Sequence, residues 1–309
     1  MQGVTRRRAK PLLGTLVELS VAWGLGTHEA KEAEEAEFVR ATDAAWACLQ
    51  AAHQAMSFHE AGSDVRAIAR AAKGQVLRVA DATWRTLALA LEIELASGGV
   101  FNAAMAPVLV ERGLLPHPEG AQVPLAHSLA EGLALEDDGE GERAVRILQP
   151  LWIDLGGIAK GLAVDDAVSA LQACGVPSGC VNAGGDLRVF GQASQRVSVR
   201  LPQSPTQVLS LADIQDMACA SSGAYFLAGP AEHSAMVGVR DAALPAPPAS
   251  VSVLAASCAV ADALTKVVWL QGARAAPLLA RLQACAMVID TQGRITHMGS
   301  GLDVGCSHA

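Results

Sequence analysis

The chain is 309 residues long, 51% hydrophobic and 17% charged, and carries a net charge of −8 from 31 acidic and 23 basic residues. That balance excludes a disordered chain, and the length allows a substantial buried core. It also lacks the basic stripe of a nucleic-acid surface, and no apolar run reaches the roughly 18 residues of a membrane helix.

Aromatic residues are only 4% of the chain, so the core must come mainly from Ala, Leu and Val. Arg6, Arg7, Arg8 and Lys10 form the one basic cluster. It reads as a solubilising arm over residues 1–10, ahead of a single unit over 11–309. No apolar leader follows these charges, so the chain as given is expected in the cytoplasm. Its seven cysteines include no CxxC pair and sit mostly among Ala, Val and Leu. Free thiols in a reducing compartment are the expectation, not a zinc site.

Residues 16–21 alternate and predict an opening strand. Residues 29–56, rich in Ala and Glu at helical spacing, predict a long helix. A second helix over 82–97 is stopped by Gly98 and Gly99. Residues 101–111 start as a loop and turn helical at Pro107. The charged turn 136–142 and the strand 144–148 after it predict a hairpin. Residues 153–155 predict a strand running into Gly156 and Gly157, and 159–173 a helix ended by Gly175 and Pro177. A strand beginning at Val181 breaks at Gly184 and Gly185 and resumes over 187–190. Further strands are expected at 197–201 and 251–254, a Pro/Ala-rich loop at 245–248 and a helix at 260–270. A closing hairpin joins 287–289 to 294–298 around 290–293. Strands and helices mix without a regular βαβ beat, which predicts an α+β fold of mixed, largely antiparallel sheets packed with helices.

The segment IDLGGIAKG, residues 153–161, carries the most chemistry. Its glycines allow close backbone approach, the N–H groups at a helix start attract anions, and Lys160 adds a positive charge. Asp154 can accept from a ribose hydroxyl or hold a cation. The pattern is neither GxGxxG nor a P-loop, so a tight turn beside a surface lysine stands equally open with a phosphate site. VNAGGDLRVFG, residues 181–191, supplies a second glycine pair, readable as a β-bulge or as a second backbone surface for a ligand.

Together these two segments resemble the central signature of the ApbE-type FAD:protein FMN transferases. PLLGTLVELSV (11–21), MSFHEAGSDVR (56–66), GGVFNAAMAP (98–107) and SVSVLAASCAVADALTKVVWLQG (250–272) resemble further family segments, in order along nearly the whole chain. The resemblance implies FAD in a cleft, with a divalent cation, usually Mg2+, at its diphosphate. It implies transfer of FMN to a Ser or Thr hydroxyl of an acceptor protein and release of AMP. It places Leu13, Phe58, Asn102, Asp154 and Lys160 at the flavin nucleotide, Phe58 suited to stacking on the ring. It places the carbonyl of Gly157, the carboxylate of Asp262 and the hydroxyl of Thr265 at the metal.

Two departures from the family pattern stand out. Thr usually follows the metal-binding Asp by four residues, whereas Thr265 is at three and Lys266 at four. Either Thr265 supplies the oxygen, or the Lys266 ammonium weakens or replaces the metal, or Lys266 simply pairs with Asp262. The family's HxxDPRTG segment is also broken. Aligning Arg240 puts Gly238 and Ala235 at the Asp and His positions, and aligning His233, the candidate catalytic histidine, loses the Asp and Arg. Ser221 to Ala224 superficially resembles the DxxTGAT acceptor pattern, but Cys219 replaces its Asp, so self-flavinylation is not expected. Alternatives to the transferase are an FAD-binding protein without transfer and an FAD pyrophosphatase yielding FMN and AMP.

Overall fold

A computed structural model describes residues 4–23, 31–137, 142–201, 204–223 and 247–299. The chain opens with β1 (Val4–Leu12) and β2 (Thr15–Trp23), antiparallel strands joined by Leu13 and Gly14, both in the left-handed region. The long helix α1 (Lys31–Met56) follows, then α2 (Asp64–Arg70), β3 (Val76–Arg78), α3 (Asp81–Ala96), α4 (Ala106–Glu111) and α5 (Leu129–Gly132). The hairpin β4 (Leu133–Asp137) and β5 (Arg143–Ile147) completes a small antiparallel sheet of order β3-β5-β4. Helix α6 (Ala159–Ala173) leads into β6 (Ser178–Ala183) and β7 (Asp186–Phe190), and the hairpin β8 (Ser194–Leu201) and β9 (Ser204–Gln215) follows. The rest comprises β10 (Ala218–Gly223), β11 (Ser250–Ala255), α7 (Cys258–Gln271), a turn of 3-10 helix, α8 (Ala276–Arg281), β12 (Cys285–Ile289) and β13 (Ile295–Met298).

The main sheet has the order β1-β2-β6-β7-β10-β11-β12-β13, with every neighbouring pair antiparallel. Alternation along the strands divides its residues between two faces. Val17, Leu19, Val181, Phe190, Ala220, Val251 and Val253 are buried in the main core, to which α1, α6 and α7 also contribute. Cys180, Leu187, Val189, Cys219 and Leu254 point the other way and pack with Val197, Ala212 and Ile214 of the β8–β9 hairpin. The α+β expectation, with largely antiparallel sheets, is met. Among the described residues no two cysteines form a disulfide, and no helix is long and apolar enough to cross a membrane.

Three local expectations are corrected. The basic segment is not a detached arm but strand β1, laid along α1. Arg6 pairs with Glu35 and stacks over the Phe38 ring at 4.7 Å. Arg8 reaches Asp43 at 2.7 Å, and the Lys10 ammonium sits 5.0 Å from the Trp46 ring centre. Alternate residues of a strand thus meet helical residues spaced about one turn apart, which a count of charges does not reveal. Second, residues 151–155 join no sheet; the segment is anchored by the Asp154 amide donating to the Ala103 carbonyl at 2.8 Å. Third, Gly184 and Gly185 form the hairpin turn between β6 and β7, not a bulge. Both have positive φ, as a two-residue β-turn of this kind demands. The strands β9 and β10 lie where no element was expected, and the 245–248 loop falls partly outside the described residues.

Candidate active site

The turn ahead of α6 organises the site. Asp154 is half-buried at the edge of the turn, and its carboxylate accepts the Gly156 amide at 3.2 Å, closing a small turn. Burial pushes its carboxyl above the ordinary aspartate value, opposed by the Gly156 hydrogen bond and by the positive fields of His59 and Lys266. The glycines are not interchangeable in role. A Cβ on Gly161 would lie 2.4 Å from the Cys258 carbonyl oxygen, so this glycine permits the close approach of α6 and α7. Its amide donates to Asp262 at 3.4 Å, so one of the helix-start donors is satisfied within the protein.

Behind that turn lie two lysines and two carboxylates. Lys160 pairs with Asp186 at the start of β7, and Lys266 pairs with Asp262 one turn earlier on α7. The carboxylates are almost inaccessible, at 3% and 1% side-chain exposure, whereas the lysines retain 33% and 21%. The pairs therefore present their positive ends outward. Burial opposes ionisation of Asp262, but Lys266 and then Lys160 prevail and hold its carboxyl below the usual range. Burial and the nearby Asp262 charge push Asp186 up, against the pull of Lys160. Burial likewise works against the Lys160 ammonium, yet Asp186 and Asp262 outweigh it and keep its pKa above the ordinary lysine value.

Lys160 also lines a cleft of about 410 Å³ together with Leu13, Met56, Phe58, Asp154 and Gly156. Four of the expected nucleotide-side residues, Leu13, Phe58, Asp154 and Lys160, therefore meet in one place. Leu13 enters from the β1–β2 turn at φ +56°, a conformation that costs a non-glycine residue about 1 kcal/mol. Phe58 lines the cleft but is only 2% exposed, and the Arg66 guanidinium lies over its ring at 5.3 Å. Asn102 is not among the cleft's lining residues. Its amide donates to the His127 carbonyl at 2.7 Å and accepts from the Ala104 amide at 2.8 Å, fixing the loop that holds Asp154. His233 lies outside the described residues. Sequence reasoning passed over His53 and His59, which line the same cleft. His59 stood in the quoted segment 56–66, and its position beside Phe58 was the available signal.

The divalent cation implied by the resemblance would use Gly157, Asp262 and Thr265. These residues do not fit it as they are arranged. One Asp262 carboxylate oxygen is taken by the Lys266 ammonium and the other by the Gly161 amide. The Thr265 hydroxyl donates to the Asp262 main-chain carbonyl at 2.7 Å and meets the Ser222 hydroxyl at 2.9 Å. The Lys266 stem packs on Gly157, where an added Cβ would stand 3.3 Å from its Cε. A metal ion there would have to displace an ammonium already paired with the carboxylate it needs.

The model of the ApbE family matches residues 13–289. A curated FAD:protein FMN transferase from Haemophilus influenzae is 24% identical over 155 residues, a stretch covering 46% of this chain and 45% of that protein. The match thus spans less than half the length of that relative. The apo Pseudomonas stutzeri flavinyl transferase ApbE superposes with a TM-score of 0.71 at 22% identity, covering 96% of both chains. The ApbE protein of Thermotoga maritima gives 0.76 at 20% identity, covering 96% of this chain and 97% of that one. Flavin transferase ApbE from Vibrio cholerae gives 0.73 at 19% identity, again over 96% of each chain. These structures share the fold, and the family match over most of the sequence settles the relationship: the chain belongs to the ApbE family.

Proposed function

We propose that the protein transfers FMN from FAD to a Thr or Ser hydroxyl of a partner protein and releases AMP. The observation that carries this reading is the convergence of Leu13, Asp154 and Lys160 on one cleft, beside the outward-facing Lys160 and Lys266 ammoniums. FAD would enter with its diphosphate toward the α6 start. The acceptor oxygen attacks the phosphorus of the FMN half, a new O–P bond forms, and the P–O bond to the adenylate breaks. AMP departs with the bridging oxygen, and the hydroxyl proton passes to solvent or to the departing phosphate. Lys160 and Lys266 supply positive charge near the phosphates, and the rigid turn supplies position; phosphoryl transfer needs both more than a strong base.

Binding of FAD without transfer is the second reading, favoured by one observation: a lysine provides a single charge where a divalent ion would provide two. Chromatography of FAD incubated with the protein and a domain bearing a DxxTGAT segment separates the outcomes. Covalently flavinylated domain with AMP is expected. Unchanged FAD would replace this reading with simple binding, and free FMN with AMP would replace it with hydrolysis.

A further inference from the structure

We propose that Lys266 is the built-in cation of this site and that the protein works without a divalent metal. The inference rests on the flavin-nucleotide reading of the cleft for its purpose, but not for its geometry. The Lys266 side chain runs one helical turn back along α7 to the Asp262 carboxylate and also donates to the Asp262 main-chain carbonyl at 3.1 Å. Its stem is seated against Gly157, in the turn before α6. Its charge also reaches Asp154 and Asp186, favouring their ionised forms, while its hydrogen bonds go to Asp262.

A carboxylate as buried as that of Asp262 calls for a cation. In this chain the cation is covalent. An ammonium offers one charge and directional donors, and it cannot dissociate or be chelated. Nucleotide binding should therefore be indifferent to free metal, and the diphosphate should be polarised less than by a divalent ion. A lysine that merely ties Asp262 into the core would give a different result on removal, because no cation would take its place.

The test titrates Mn2+ into the full-length protein and follows the free-ion electron paramagnetic resonance signal, with thermal unfolding in parallel. Wild type is expected to leave the Mn2+ signal and its melting temperature unchanged in Mn2+ or in EDTA. Lys266→Ala should bind Mn2+ about tenfold more tightly or better, melt lower in EDTA, and regain stability when the ion is added. Lys266→Gln, which retains a donor for Asp262, repeats the test should the alanine variant fold poorly. Adding Asp262→Asn to either variant should abolish the gained binding. Stoichiometric Mn2+ binding by wild type at micromolar concentration, or no gain in either Lys266 variant, would overturn the proposal. Because these readouts need no flavin, failure of FAD to bind would count against the proposed function alone.

Discussion

At the scale of single residues, one buried and one half-buried carboxylate test how charge is managed in the site. Lys160→Met strands the Asp186 carboxylate in the interior and should cost about 3 kcal/mol of stability, measured by urea unfolding. The double variant Lys160→Met/Asp186→Asn should recover most of that loss, because removing both partners leaves no unpaired charge. FAD affinity should stay low in both, which separates the lysine's ligand role from its structural one. Asp154 behaves differently. Its folded-state pKa is raised by burial, so ionisation weakens the fold as pH climbs from the ordinary aspartate value through the raised one. Asp154→Asn escapes that loss while still accepting the Gly156 amide. It should melt higher than wild type at pH 7 and level with it near the pH where both states are protonated. An equal difference at every pH would contradict the assignment. The glycine turn by itself left Asp154 and Lys160 equally open between a tight turn and a phosphate site, and only the family resemblance assigned them to the ligand. Sequence left three roles open for Lys266, since offsets of three and four share one helix face and only packing against Gly157 distinguishes them.

At the scale of elements, the site depends on how α6 and α7 meet. Asp165, on α6, accepts from the Ser257 hydroxyl at 2.8 Å and from the Cys258 and Ala259 amides at 3.0 Å. It also pairs with Arg188 of β7 at 2.8 Å. One carboxylate thus caps the start of α7, the helix carrying Asp262 and Lys266, and ties it to α6 and the main sheet. Asp165→Ala leaves these donors and Arg188 without their acceptor and should cost about 3 kcal/mol by urea unfolding. It should also weaken FAD binding although residue 165 is absent from the cleft lining, because α7 loses its register on α6. Stability lost with FAD affinity intact would show that the site does not rely on that register. None of this was legible beforehand: the cap acts from 92 to 94 residues away in sequence. The helices themselves were legible, because their apolar spacing and glycine stops are local signals. The β9 and β10 strands were not, being weakly patterned segments whose pairing comes from their neighbours.

At the scale of the whole molecule, a long antiparallel sheet separates two surroundings. Its helical side carries the buried core and the turn before α6, and the other side is partly covered by the β8–β9 hairpin. The cleft gathers residues from the β1–β2 turn, the end of α1, the loop after it and the α6 start, so it exists only once these separated segments are brought together. Motif order along the chain made this assembly readable as a family resemblance long before any distance was known. It did not reveal that β1 and its arginines belong to the folded unit, because that depends on Glu35, Phe38 and Asp43 of α1. The measurement that bears most directly on the account is equilibrium dialysis of FAD against wild type and the Lys160→Met/Asp186→Asn variant, both in EDTA. The account predicts one FAD retained per wild-type chain without metal, and about tenfold weaker retention in the variant, the loss of one charge-assisted contact. No retention by wild type, or equal retention by the two proteins, would contradict it.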